Sequence, residues 1–378
     1  MAVPKETRWP IEHHTKVKHL ILGLYLKAWL PIMATHNGCI MFIDGFAGPG
    51  RYEGGEEGSP LIALRTLLEH SYFQRPQPNR EVGFLFIEAK ADRVAGLQEE
   101  LNKLAEERHI PKWVRIDVKE GEFADLMTRL LDQLEETGAR LAPTFAFIDP
   151  FGFAGIPMDL ISRIARNPKC ECLITFMYQS INRFRTAPQA AMQARLDELF
   201  GTDEWRNLFA RVDPATRLAQ LAVLYRRQLV HKAGFKYVRT FQMIDQGNQT
   251  EYFLYFATNN LTGLSKMKYA MWKADPLGGQ IFSDRTVSDQ MVLIEPTADL
   301  TPLRDSLGQE FRGSGWVTIE KVQEFVLTDT PFSETIHLKR LTLQPMEQAE
   351  PPLIEVRRPQ GAMDRAGDYP VGTVIRFP

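Results

Sequence analysis

The sequence predicts an α/β protein: a twisted, mostly parallel sheet flanked by helices, followed by a small second domain. Three observations predict it. Short apolar runs at residues 41–43, 82–87 and 144–148 alternate with longer stretches of helical period. Each run is followed by an acid: Asp44, Glu88 and Asp149. A glycine-rich loop, Gly45-Phe46-Ala47-Gly48-Pro49-Gly50, comes directly after the first acid. In open α/β sheets ligands lie beyond the carboxyl ends of the strands, so an acid and a glycine loop there mark a binding crevice. Glycine has no Cβ, which lets backbone approach a ligand closely.

A chain of 378 residues allows two to three domains. Its 44% hydrophobic and 24% charged residues are ordinary for a soluble protein. No apolar run approaches the ~20 residues needed to span a bilayer, so no membrane partner is expected. The N-terminus, with Lys5, Glu6, Arg8 and two histidines, lacks the apolar core of a signal peptide. Cys170 and Cys172 are too close for the usual zinc pair and precede a strand-like run, so both thiols belong on one strand face. With Cys39 they suggest a reduced, cytoplasmic protein. The net charge of −2 argues against a uniformly basic nucleic-acid coat. Residues 163–239 nevertheless carry 14 Lys and Arg against 6 Asp and Glu. That surplus predicts either one electropositive face or arginines on solvated helix faces.

In chain order, residues 11–33 predict a helix, with Val17, Leu20, Ile21, Leu24, Tyr25 and Trp29 near a 3.6 period. His13, His14, Lys18 and His19 lie near its first turns. No acid or cysteine ligand set accompanies them, and no metal is expected. The segment either folds over the crevice mouth or is a surface helix with solvated histidines. The loop after Asp44 is not a phosphate loop, because Arg51-Tyr52 stand where Lys-Ser/Thr is needed. Its glycines run G-x-x-G-x-G, not the dinucleotide spacing G-x-G-x-x-G. Residues 51–58 are a polar loop. Ser59-Pro60 then caps a helix carrying Leu61, Leu64, Leu67 and Leu68, whose N-terminus suits a carboxylate. Glu88 ends the second strand, where a carboxylate can accept two hydrogen bonds from a ribose diol. A helix at 91–107, a strand at 113–118, the turn Glu120-Gly121-Glu122-Phe123 and a helix at 123–137 follow.

The strand at 144–148 ends in Asp149-Pro150-Phe151-Gly152. A helix at 156–165 and a strand at 172–177 lead into two Arg-bearing helices, 188–212 and 214–232. They predict an Arg-rich helical insertion within 163–239. Residues 237–244 and 252–258 alternate as a terminal strand pair joined by turn residues, with a helix at 264–273 after them. The α/β domain therefore spans 1–275, and residues 276–312 lack periodicity and read as a linker. Residues 313–378 carry a helix with Val322, Phe325 and Val326, a second with Ile336, Leu338 and Leu341, and two short strands. Helix, helix and hairpin predict a winged-helix-like domain. His337, Lys339 and Arg340 on its second helix suit a phosphate or groove contact; a protein-docking module is the alternative.

The first strand and its Asp44-x-Phe46-Ala47-Gly48-x-Gly50 loop resemble motif I of class I S-adenosylmethionine-dependent methyltransferases. The resemblance implies a Rossmann-like class I methyltransferase sheet. It implies that Asp44, Gly45, Phe46, Ala47, Gly48, Pro49 and Gly50, with Ser59 nearby, hold the methionine part of the cofactor, and Glu88 the ribose. Glu120-Gly121-Glu122-Phe123 resembles the third-strand motif whose acid reads the adenine amino group. This implies Glu122, with Phe123 beside it and Asp117 in reserve; both acids could instead be exposed loop residues. Asp149-Pro150-Phe151-Gly152 is similar to the Asp/Asn-Pro-Pro-aromatic motif of enzymes that methylate exocyclic amino groups of bases. There the acid and the following carbonyl accept hydrogen bonds from the amine, and the aromatic ring stacks on the base. Phe151 replaces the second proline, a variant that occurs in tRNA guanine-N2 dimethyltransferases.

The combination runs from the His14–His19 segment through the glycine loop, Gly58-Ser59-Pro60 and Asp149–Gly152 to Tyr255-Phe256-Ala257-Thr258 and the helix with Met267 and Met271. It resembles the three-Cys-motif partner family of bacteria, named for a neighbouring gene product with three cysteines. The first 50 residues are also similar to bacterial ribosomal-RNA adenine-N6 methyltransferases, where an N-terminal Lys-His helix closes on the cofactor. That similarity implies Lys18 and His19 beside the cofactor. The leading expectation is methyl transfer from S-adenosylmethionine to an exocyclic amino group of a DNA or RNA base. The rival is a cofactor-binding or degenerate methyltransferase-like protein acting with a three-Cys-motif partner. A nicotinamide-dependent oxidoreductase would share the sheet but lacks its glycine spacing here.

Overall fold

The computed structural model describes residues 6–75, 80–153, 155–182, 190–283, 298–363 and 365–378. Arg183 and Arg185 of the Arg-rich segment and residues 284–297 of the expected linker lie outside the described residues. The apolar stripe of α1 (His13–His36) makes it a core helix: Ile21, Leu22, Tyr25, Leu26, Trp29 and Leu30 are all buried. Among the described helices it alone has the length and composition of a bilayer-crossing segment, and half of that stretch is buried inside the protein.

The central elements alternate as β1 (Cys39–Asp44), α2 (Ser59–Glu69), β2 (Glu81–Glu88), α3 (Ala91–Glu107), β3 (Val114–Glu120), α4 (Phe123–Glu136), β4 (Thr144–Ile148), α5 (Met158–Ala165) and β5 (Glu171–Phe176). These five strands lie parallel in the order β3-β2-β1-β4-β5, so the chain winds outward from β1 in both directions. The topological switch point falls between β1 and β4, where such sheets open a crevice. β4 and β5 are buried at every residue, as strands covered on both faces must be.

After β5 come α6 (Tyr178–Asn182), α7 (Ala190–Phe200), α8 (Trp205–Arg211) and α9 (Pro214–His231). The hairpin β6 (Tyr237–Ile244) and β7 (Thr250–Thr258) follows. β7 runs antiparallel between β5 and β6, and β8 (Ile281–Ser283) forms the far edge. The helices of the expected insertion belong to the sheet's own core. Phe200, Trp205, Leu221, Tyr225 and Leu229 are buried in one cluster with Ile174, Phe176 and Tyr255. Several of the segment's arginines are paired: Arg206 with Asp197 at 2.5 Å, Arg163 with Asp132 at 2.7 Å, and Arg227 with Glu204.

The chain divides into two compact units, Met1–Gly263 with Phe282–Val287, and Leu264–Ile281 with Ser288–Pro378. The second contains most of α10 (Leu261–Ala274), then α11 (Thr301–Phe311), β9 (Trp316–Thr318), α12 (Ile319–Asp329), a π-helix (Glu334–Leu343), α13 (Gln344–Glu347), β10 (Glu355–Arg357) and β11 (Val374–Arg376). β11 lies between β10 and β9, antiparallel to both. α11 falls in the stretch read as linker. Its Leu303, Leu307 and Phe311 sit four residues apart on one buried stripe, a signal too sparse to stand out from the sequence around it. The buried Lys268 ammonium donates to the carbonyls of Val326, Leu327 and Thr330, each at 2.9 Å, and so satisfies carbonyls at the C-terminal end of α12.

Candidate active site

β1 sits between β2 and β4, with Asp44 opposite Phe86 on one side and Phe147 on the other. Glu88 and Asp149 each stand two residues beyond those partners. Side chains alternate along a strand, so Asp44 and Glu88 share one pleat face, and Asp149 follows directly on the end of the neighbouring strand β4. The loop leaving β1 straddles both neighbours: Gly45 N–H donates to Phe147 O at 2.9 Å and Ala47 N–H to Ile87 O at 2.8 Å. Glu88 braces it, accepting from Gly48 N–H at 3.0 Å and Lys90 N–H at 2.9 Å.

Asp44 is fully buried and accepts from the Phe46 amide at 3.2 Å. Among the described residues its Oδ2 has no hydrogen-bond partner. Burial pushes its carboxyl up to about 7, against the pull of the nearby Ser59 hydroxyl and the Phe46 amide. Gly48 has a φ of 63°, in the left-handed region that favours glycine. Gly45 is needed for a different reason, since a Cβ there would lie 2.6 Å from the Phe123 ring.

In front of these strands lies a cavity of about 370 Å³. That is within the ~300–1,000 Å³ range of small-molecule sites. Its lining combines the loop of residues 46–50, Arg51 and Tyr52, and Gly58 with Ser59 at the start of α2. Asp149, Pro150 and Phe151 after β4 and Met177 after β5 complete one side. The N-terminal segment supplies Trp9, Pro10, Glu12, Thr15, Lys18 and His19. The buried Lys18 ammonium lies 2.5 Å from Asp149 Oδ2. Burial holds His19 down to about 3, with the Lys18 charge acting in the same direction, so its ring is neutral. Burial and the Asp149 charge raise the Tyr52 phenol, which keeps its proton. Trp9 meets Phe151 edge-on, ring centroids 5.2 Å apart, and Tyr52 at 5.6 Å.

Of the predicted site residues, the cavity brings together Lys18, His19, Phe46, Ala47, Gly48, Pro49, Gly50, Ser59, Asp149, Pro150 and Phe151. Asp44, Gly45, Glu88, Phe123 and Gly152 do not line it. Glu122 is exposed at the N-cap of α4 without a side-chain cap bond, and Phe123 is buried against Phe46, centroids 5.6 Å apart. Asp117 is exposed on β3. Trp9, Tyr52, Met177 and Arg93 were not singled out from sequence. Only Tyr52 carried a signal, through its place directly after the glycine loop.

The mixed eight-stranded sheet, with five parallel strands, the reversed β7 and flanking helices, fits the Rossmann-like fold of class I methyltransferases. No protein-family model and no curated protein matches the chain. Among solved structures it is similar to the methyltransferase domain of bacterial CtHen1-C, with TM-score 0.31, 9% identity, 65% of this chain and 100% of that one. A human methyltransferase 10 domain containing protein gives TM-score 0.28, 14% identity, 63% of this chain and 82% of that one. The chain spans 37% of a methyltransferase chain from Porphyromonas gingivalis W83 and 38% of EvdMO1, at TM-scores 0.26 and 0.28 and 10% identity each; 58% and 60% of this chain are covered. Likenesses this distant add nothing to the site, and the fold class rests on the strand order itself.

Proposed function

We propose that the chain is an S-adenosylmethionine-dependent methyltransferase acting on an exocyclic amino group of a nucleic-acid base. One observation carries this: the glycine loop after β1 and the Asp149-Pro150-Phe151 turn after β4 open into the same cavity, on either side of the switch point. The residues fit the cofactor. Asp44 has a buried, orphaned carboxylate oxygen beneath a loop whose backbone approaches without a Cβ at Gly48. Residues 46–50 and Ser59, with Asp44 beneath the loop, would hold the amino-acid end. Glu88 serves by bracing the loop, and Glu122 and Phe123, outside the cavity, have no cofactor role. The bound cofactor supplies an electrophilic methyl group. The chain's part is positioning. The Asp149 carboxylate and Pro150 carbonyl accept from the acceptor amine, which leaves the nitrogen lone pair directed into the cavity. Lys18 neutralises Asp149 through its contact with Oδ2. Neutral His19 and Tyr52 add no competing charge.

Transfer of tritiated methyl to tRNA, rRNA and DNA by wild type and Asp149→Ala tests the reading. The expected result is labelling of one pool, lost in the variant with cofactor affinity retained. No labelling of any pool would overturn it. Phe151, packed against Trp9, favours a second reading: a cofactor-binding protein that works only with a three-Cys-motif partner. In that case labelling depends on adding the partner.

We read the C-terminal unit as a winged-helix-like module. Helix, strand, three helical segments and two strands, with β11 between β10 and β9, support that reading. Arg340 is exposed on its second helix. Three free thiols agree with a cytoplasmic setting.

A further inference from the structure

We propose that Arg93 is a positioning residue for the acceptor turn, doing for Phe151 what a second proline would do by ring closure; the inference rests on the methyltransferase reading of that turn. Proline fixes φ, so an Asp-Pro-Pro turn has two locked residues in succession. Here Phe151 and Gly152 follow Pro150, so one residue past the acid is ring-locked and the next is not. A second restraint is built from side chains. Arg93 lies in the first turn of α3, a place where arginine is ordinarily solvated, yet it is 2% exposed. Its guanidinium carbon is 4.6 Å from the centroid of the Trp9 ring and 5.4 Å from that of Phe151. Trp9 in turn meets Phe151 edge-on at 74°. A desolvated guanidinium against two aromatic rings is a cation–π clamp at the strong end of such contacts.

The clamp has a fixed base. Arg93 N–H bonds Lys90 O at 3.0 Å, Lys90 N–H bonds Glu88 Oε1 at 2.9 Å, and Glu88 Oε2 accepts from Gly48 N–H at 3.0 Å. One short junction between β2 and α3 thus ties the glycine loop at one end and the Phe151 ring at the other. Arg93 is not among the residues that line the cavity. It sets where Asp149 and Pro150 stand relative to the loop.

Arg93→Met and Arg93→Lys test the inference against wild type, with labelled methyl transfer for rate and calorimetry for cofactor affinity. Displacing a reacting group by about 1 Å costs on the order of 100-fold in rate, and kcat of Arg93→Met should fall on that scale. Cofactor affinity should stay at the wild-type value, and Arg93→Lys, which keeps a cation, should recover most of the rate. A wild-type rate in Arg93→Met, or a loss of cofactor affinity in step with rate, overturns the inference. If Arg93→Met does not melt cooperatively, Arg93→Gln takes its place with the same expectations. 4-Fluorophenylalanine placed at position 151 gives a readout independent of activity. Its fluorine resonance should be single and narrow with Arg93 and broadened or split without it; an unchanged line overturns the proposal. If wild type labels no acceptor, the methyltransferase reading fails, and the fluorine line still decides whether Arg93 orders the turn.

Discussion

At the scale of single residues, Asp44 ties the site to pH. Burial raises its carboxyl from 3.8 to about 7 in the folded chain. The folded state therefore holds the proton more tightly than the unfolded state, and stability falls as pH rises from about 4 to about 7, then levels off. Asp44→Asn removes this loss. It should be the more stable protein at pH 8 by up to roughly 4 kcal/mol, with the difference shrinking toward pH 4, measured by urea unfolding across pH. If the cofactor donates hydrogen bonds to the orphaned oxygen, cofactor affinity should rise as pH passes 7 in wild type and stay flat in Asp44→Asn. Lys18 gives a second residue-scale test. Removing one member of a buried ion pair costs about 3–5 kcal/mol, because the other charge is left uncompensated. Asp149 keeps some solvent contact, so Lys18→Met should cost about 3 kcal/mol, the low end of that range. Adding Asp149→Leu should restore most of it, a double-mutant cycle read from denaturation midpoints. Recovery would fail if the two residues were not coupled. Asp44, Asp149 and the glycines were legible in the sequence because each ends or follows a buried strand. Arg93 and Trp9 were not: one reads as a solvated first-turn arginine, the other belongs to a segment without period.

The elements were legible to different degrees for the same physical reason. Strands buried on both faces, such as β4 and β5, appear as unbroken apolar runs bounded by turn residues. The segment α7 to α9 reads as an Arg-rich helical insertion because its polar faces dominate the count. Its apolar stripes are ordinary core stripes, and Tyr225 packs 4.6 Å from Phe176 of the sheet. The junction of β2 with α3 could not be read as a brace, since Glu88 looks the same whether it faces a ribose or a backbone amide. In the structure it holds Gly48 N–H. Glu88→Ala leaves that buried donor unpaired, a penalty of about 1–3 kcal/mol. The loop should loosen as a unit, so cofactor affinity should fall together with stability. Gly45→Ala acts differently. Its Cβ would strike Phe123, away from the cavity lining, and overpacking of this kind costs about 1–3 kcal/mol. A thermal melt paired with a cofactor titration separates them: Gly45→Ala should lower the melting temperature while saturating cofactor restores it. Glu88→Ala should resist such rescue.

For the whole molecule, the question is what the second unit contributes. A chain of net charge −2 cannot hold nucleic acid by its overall field, so any grip must come from local cations. The Arg-rich segment offers fewer than its count suggests, since Arg163, Arg206 and Arg227 are paired with acids. In the second unit Lys339 donates to Tyr369 O at 2.8 Å and Arg358 is held by Glu347, which leaves them structural work. Arg340 stands exposed on the helix that a winged-helix module would present to a groove. Arg340→Glu in the full chain should weaken binding of short duplex DNA or hairpin RNA by a similar factor for every sequence. It should also flatten the dependence of log affinity on log salt by about one per lost phosphate contact, read by fluorescence anisotropy over a salt series. Cofactor affinity should not change, because Arg340 and the cavity belong to different units. Unchanged nucleic-acid binding and salt slope in this variant would remove the groove-contact role and leave the unit as a protein-docking module.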